Sequence, residues 1–194
     1  MRVQNVLIFP FHSSIMKKLS PTTRLTVGAM TTALGVLFTY AASIVPSGKL
    51  VLLFLASVVI WIPLNERGGI VSAIICYLAT ALLSFLLIPN KLYPLAYALF
   101  FGLYGFIKLG VDGAVHDRFI AFALKLILMN ALAAAVIWLG SLIIKQDVFS
   151  LLPDYPLYAV MIAMEVALIL FELAYTFCIG IIDSRLRSIL ISRK

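Results

Sequence analysis

Charge is scarce in this sequence, and negative charge is scarcest. Eight Asp and Glu and fifteen Lys and Arg make up 12% of 194 residues, while 63% are hydrophobic. A soluble domain averages about 25% charged residues. Too little polar material is present to cover a water-facing surface, so the chain reads as an integral membrane protein. Histidine and cysteine are rarer still, at two each. His12 and His116 lie in polar segments without metal-ligand spacing, and Cys76 and Cys178 each stand alone in an apolar run. That pattern argues against a metal site and for small buried thiols. No Walker-type phosphate loop, HExxH or GxSxG occurs, and no nucleophile stands beside a base. The expectation is a protein with no catalytic residues and no cofactor, and not an enzyme. The formal net charge of +7 would suggest nucleic acid in a soluble protein. Here topology accounts for it, and no nucleic-acid partner is expected.

What the chain has in quantity is long apolar runs. About 20 helical residues cross the roughly 30 Å lipid core. Six runs qualify as candidate spans: Leu25–Val45, Leu50–Leu64, Gly68–Ile88, Leu92–Ile107, Phe119–Ile144 and Pro156–Ile182. Pro46, Ser47 and Gly48, Asn65, Pro89 and Asn90, Gly110 and Gly113, and Pro153 and Pro156 punctuate the turns between them. The second run is short and carries Pro63, which predicts a tilted or partly irregular span. The expected fold is an all-α, six-helix membrane bundle over 25–182. A cytoplasmic segment, 1–24, precedes it, and a basic cytoplasmic tail, 183–194, follows. With six spans, eleven Lys and Arg fall on the side of the termini, Lys108 and Arg118 among them. The other side holds three, Lys49, Lys91 and Lys145, while Lys125 lies within a span. The positive-inside rule then places both ends in the cytoplasm, and the expected location is a prokaryotic plasma membrane. The apolar patch "VLIFPF" near Met1 is too short to span and lacks a small-residue cleavage site, so it makes a poor signal peptide. Met16, opening "MKKLSPTTR", is an alternative start.

Three charges fall inside spans: Lys125, Glu165 and Glu172. Such residues are costly in lipid and usually face the bundle interior. Lys125 and Glu172 are expected to meet, with Asn130 assisting, as a structural lock; an ion or proton relay is the other reading. Glu165 is seven residues from Glu172 and shares its helix face. It reads as a ligand contact, a second structural pair or a protonated carboxyl, within reach of Lys91 or Lys145. Tyr93, Tyr97 and Tyr104 share one face of the fourth run. They are either core and interfacial aromatics or a stacking wall for a flat small-molecule ligand. Lys91, Tyr93, Tyr97 and Glu165 form the candidate ligand set.

The first run is rich in small residues at one end: "TTRLTVGAMTTALGV". Gly28, Ala29, Thr32 and Ala33 form a smooth helix face, the kind that lets two backbones approach closely in lipid. This basic lead, the AxxxA at Ala29 and Ala33, six spans and about 180 residues resemble the substrate-binding S component of energy-coupling factor transporters. The later part, "FFGLYGFIK" and "FALKLILMNALAAAVIW", is similar to a branch of that kind with no established substrate. The resemblance implies that Ala29 and Ala33 dock a shared transmembrane coupling protein driven by two separate ATPases. It also implies that a vitamin-like micronutrient binds near the outer face. "NERGG" stands where that family carries a Gly-Pro step. The rod-shape-determining membrane proteins have a similar size and helical build. They supply the second expectation, a cell-envelope scaffold.

Overall fold

The computed structural model describes residues 20–66, 69–144 and 157–191. The patch near Met1, Met16, Arg67, Lys145 and the end of the basic tail lie outside them. The elements are α1 (Pro21–Ile44), α2 (Lys49–Val59), α3 (Trp61–Leu64), α4 (Ile70–Leu87), α5 (Leu92–Ala96), a π-helical turn (Tyr97–Phe101), α6 (Gly102–Ala114), α7 (Arg118–Ile144) and α8 (Leu157–Ile191).

Local chemistry sets the boundaries. Ser20 caps α1 by accepting from the Thr23 amide at 3.2 Å, and Pro21 follows at the first helical position, where its missing N–H costs nothing. The helix therefore starts four residues before the apolar run does. Gly48 turns the chain into α2 at φ +81°, a left-handed conformation that suits glycine. Pro63 has no N–H to donate, and its ring would meet the carbonyl of Val59, so the second run breaks into α2 and α3 at Ile60. Pro89 ends α4 one residue after its cap, Ile88. The Asp117 carboxylate accepts from the Phe119 amide at 2.9 Å and opens α7.

Five helices are long and apolar enough to cross a bilayer: Pro21–Ile44, Ile70–Leu87, Leu92–Ala114, Arg118–Ile143 and Tyr158–Ser184. Lys49–Leu64 is a shorter apolar helix pair. It rises about 24 Å, less than the roughly 30 Å core. The described residues thus build an all-α bundle of the kind found in multi-pass membrane proteins. Gly110 and Gly113, read from the sequence as turn residues, are helical, and the helix begun at Leu92 runs on to Ala114. The last helix continues past 182 to Ile191.

Leu92–Ala114 is the central helix. Over half of its apolar window is buried, against little more than a quarter in any other span. Its π turn leaves backbone carbonyls that need donors. Tyr77 Oη donates to the Ala98 carbonyl at 2.7 Å, and Ser57 Oγ donates to that of Phe101. Below the turn, Phe171 of α8 is ringed by Phe54, Phe100, Phe101, Tyr104 and Tyr175, with centroids 4.9–5.9 Å away. This aromatic knot ties α2, the π turn, α6 and α8 together.

Candidate functional site

Polar side chains gather at the end of the bundle where α1 begins and α8 finishes. Arg24 Nη2 meets Glu66 Oε1 at 2.8 Å, fastening the start of α1 to the chain after α3. Asn65 Nδ2 donates to Asp183 Oδ1 at 2.6 Å, with Trp61 Nε1 3.4 Å from the same oxygen. Deeper in lies the main cluster. Lys108 Nζ stands 2.8 Å and Lys125 Nζ 2.7 Å from the same atom, Glu172 Oε1. Lys125 also meets Asp112 Oδ1 at 2.9 Å, and Lys108 lies 3.7 Å from Asp112 Oδ2. Thr176 Oγ1 accepts from Lys108 at 2.8 Å. Three helices contribute, and two cations face two carboxylates, so the cluster is formally neutral. Lys108, Lys125 and Glu172 keep only 7%, 8% and 4% of their side-chain surface, while Asp112 keeps 29%. Glu172 Oε2 is buried without a hydrogen-bond partner among the described residues.

Lys108 and Asp112 were read from the sequence as lying beyond the fourth span. They are half of the cluster. A signal was available: Tyr97, Phe101, Tyr104, Lys108 and Val111 recur every three or four residues, and all five are buried. Asn130, expected to assist, donates instead to the Leu126 carbonyl of its own helix at 3.1 Å.

The candidate ligand residues are scattered. Lys91 Nζ donates to the carbonyls of Phe85 and Ile88, at 2.5 and 2.9 Å, and so closes the end of α4. Tyr93 lies under Lys49, whose Nζ is 5.5 Å from the ring centroid. Tyr97 is fully buried against Tyr77, and its hydroxyl has no hydrogen-bond partner among the described residues. Glu165 is exposed on α8, and no hydrogen bond or ion pair links it to another described residue.

The small residues of α1 divide into two faces. Thr31, Gly35, Thr39 and Ala42 are buried. At Gly35 an added Cβ would lie 2.8 Å from Thr80 Cγ2 of α4, so that contact admits only glycine without a shift. Ala29 and Ala33 are exposed, and Gly28 and Thr32 are half-exposed. Between this second face and α4 runs an open, mostly apolar groove of about 480 Å³, lined by Arg24, Gly28, Ala29, Thr32, Ser72 and Cys76 among others.

Among the described residues, no group of His, Cys, Asp and Glu could hold a metal ion. Compared with protein-family models, with curated proteins and with solved structures, the chain matches none.

Proposed function

We propose that the chain is the substrate-binding subunit of an ATP-driven importer of a vitamin-like micronutrient, similar to the S components of energy-coupling factor transporters. In this reading it binds and reorients, and catalyses nothing. A transmembrane coupling protein and separate ATPases supply the work, and the bundle lies in a prokaryotic cell membrane. The observation that carries the reading is the uncovered small face of α1. In lipid, close backbone approach is a main source of helix affinity. A face that the fold leaves free at Ala29 and Ala33, beside an apolar groove, suits a partner helix. The polar knots at Arg24–Glu66 and Asp183–Asn65 fasten the surrounding helix ends, so the face is presented on a braced platform.

The test is Ala29→Leu/Ala33→Leu, expressed with the coupling proteins of the same cell. Melting of the isolated variant should match the parent, because a lipid-facing Leu displaces nothing. Co-purification of the coupling protein should fall at least tenfold. Retained assembly would remove the docking reading.

The orientation belongs to the same proposal. With Lys108 inside the bundle, ten basic residues remain on the side of the termini against three opposite, so the positive-inside bias persists. Six crossings, with Lys49–Leu64 as a thin, tilted one, place both termini inside. Reporter fusions at Lys49 and Lys91 should read outside, and fusions at Gly113 and at the C-terminus inside. An outside C-terminus would leave five crossings and reverse the site.

A further inference from the structure

We infer that the groove between α1 and α4 holds one anionic phospholipid from the leaflet on the side where α1 begins. An acyl chain lies along the apolar floor and the headgroup phosphate sits at Arg24. The inference stands on the groove as a membrane-facing surface and not on the importer reading.

The groove amounts to about 480 Å³, within the range of about 300–1,000 Å³ in which small-molecule sites fall. On α1 it runs from Pro21 to Thr32, about 17 Å along the helix axis. One leaflet of the hydrocarbon core is about 15 Å deep. Just beyond the inner end the two helices close, where Gly35 meets Thr80. The depth of the groove is therefore that of a single leaflet. Its floor is backbone and small side chains. A Cβ added to Gly28 would stand 3.3 Å from Cys76 Sγ and 3.9 Å from Ser72 Oγ. In a bilayer an open apolar channel of this kind fills with a lipid tail. A void would forfeit dispersion contacts, and water would find too few polar partners.

The mouth selects the headgroup. Arg24, one turn into α1, is the one charged side chain among the described residues that line the groove. It keeps 31% of its side-chain surface, whereas its partner Glu66 keeps 1% and is not part of the lining. The carboxylate thus holds the guanidinium from the protein side. Across the groove α4 begins at Ile70, and among the described residues its cap, Gly69, brings no side-chain acceptor. The positive end of that helix, with Val71 and Ser72 in its first turn, borders the same mouth. A guanidinium beside a helix N-terminus suits a phosphate. No acid in the lining answers the cationic group of a zwitterionic headgroup, which favours a lipid of net negative charge. The sequence carries no acidic residue before Glu66, which keeps the start of α1 positive. A second copy of the chain fits less well, because a two-fold contact at this groove would bring Arg24 against Arg24. A coupling helix on Ala29 and Ala33 would have to displace the lipid.

The test uses the full chain in nanodiscs of phosphatidylcholine and phosphatidylglycerol. A bimane fluorophore is placed on Ala29→Cys in a Cys76→Ala/Cys178→Ala background. Ile127→Cys, 65% exposed and about as far into α7 as Ala29 is into α1, reports on the surrounding lipid. Either lipid is supplied with brominated acyl chains, which quench on contact. Half-quenching at Ala29→Cys should need about fivefold less brominated phosphatidylglycerol than phosphatidylcholine, the selectivity that one basic group at the surface supplies. At Ile127→Cys the two lipids should be equivalent. Arg24→Lys should keep the preference and Arg24→Gln should abolish it, with melting showing that each variant is folded. Thr32→Phe, which plugs the groove and leaves Arg24 paired with Glu66, should abolish it too. Inorganic phosphate in excess should change nothing. Equal quenching by the two lipids at Ala29→Cys, the same preference at Ile127→Cys, or a preference that survives Arg24→Gln overturns the headgroup site. Weaker quenching by both lipids at Ala29→Cys than at Ile127→Cys means that protein covers the groove, and displacement by inorganic phosphate reduces it to an anion site. Either result overturns the bound lipid. A lipid preference that stands while assembly with a coupling protein fails upholds this site and removes only the importer reading.

Discussion

Glu172→Gln should destabilise the bundle by about 3–5 kcal/mol, the range for breaking a buried ion pair by removing one partner. Glu172 Oε1 lies within 2.8 Å of both Lys108 and Lys125. Without its charge, two buried ammonium groups face each other with only the partly exposed Asp112 between them. Lys125→Met is the milder change, since Lys108 still answers Glu172 at 2.8 Å and Asp112 can turn to water. The double variant Lys125→Met/Glu172→Gln should recover much of the loss. It leaves one lysine and one carboxylate, Lys108 and Asp112, on a single helix four residues apart. Thermal melting of the four proteins in the same detergent measures the cycle. Strictly additive losses would falsify the cluster, because residues that share no interaction do not rescue each other.

Gly35→Leu should be the next most damaging change. An added Cβ already stands 2.8 Å from Thr80 Cγ2 and 3.1 Å from Thr80 Oγ1, so the Thr80 side chain or the two helices must shift to admit it. Overpacking of this kind costs about 1–3 kcal/mol, and the three further carbons of leucine place the cost at the upper end. Ala33→Leu, half a turn away on the exposed side of the same helix, should melt like the parent. The comparison introduces the same side chain two residues apart on one helix, on the covered and the exposed face. Equal melting temperatures for the two variants would mean that α1 and α4 do not meet at Gly35.

Much of the architecture follows from composition and spacing alone. A run of about 20 apolar residues in lipid must satisfy its own backbone, and a helix does so within one segment. The existence of the helices and the break before Pro63 were therefore readable in one dimension. So was a small face of α1, because helical spacing places Gly28, Ala29, Thr32 and Ala33 side by side whatever surrounds them. Which face is covered was not readable. Gly35 is closed against Thr80, 45 positions further along the chain, while Ala29 and Ala33 stay open.

The charges divide in the same way. Lipid insertion energetics mark Lys125, Glu165 and Glu172 as unusual wherever they point. Lys108 carried no such mark, since a lysine near a helix end can snorkel to the interface as readily as it can pair. What decides between the two is Glu172, 64 residues away, together with a helix that continues six residues past Lys108 to Ala114. Glu165 and Glu172 share one helix face by sequence, yet one is exposed and the other almost wholly enclosed. Periodicity fixes the direction in which a side chain points. How far the next helix stands in that direction is set by the packing of every other element, which on α8 encloses Leu168 and Glu172 but not Glu165.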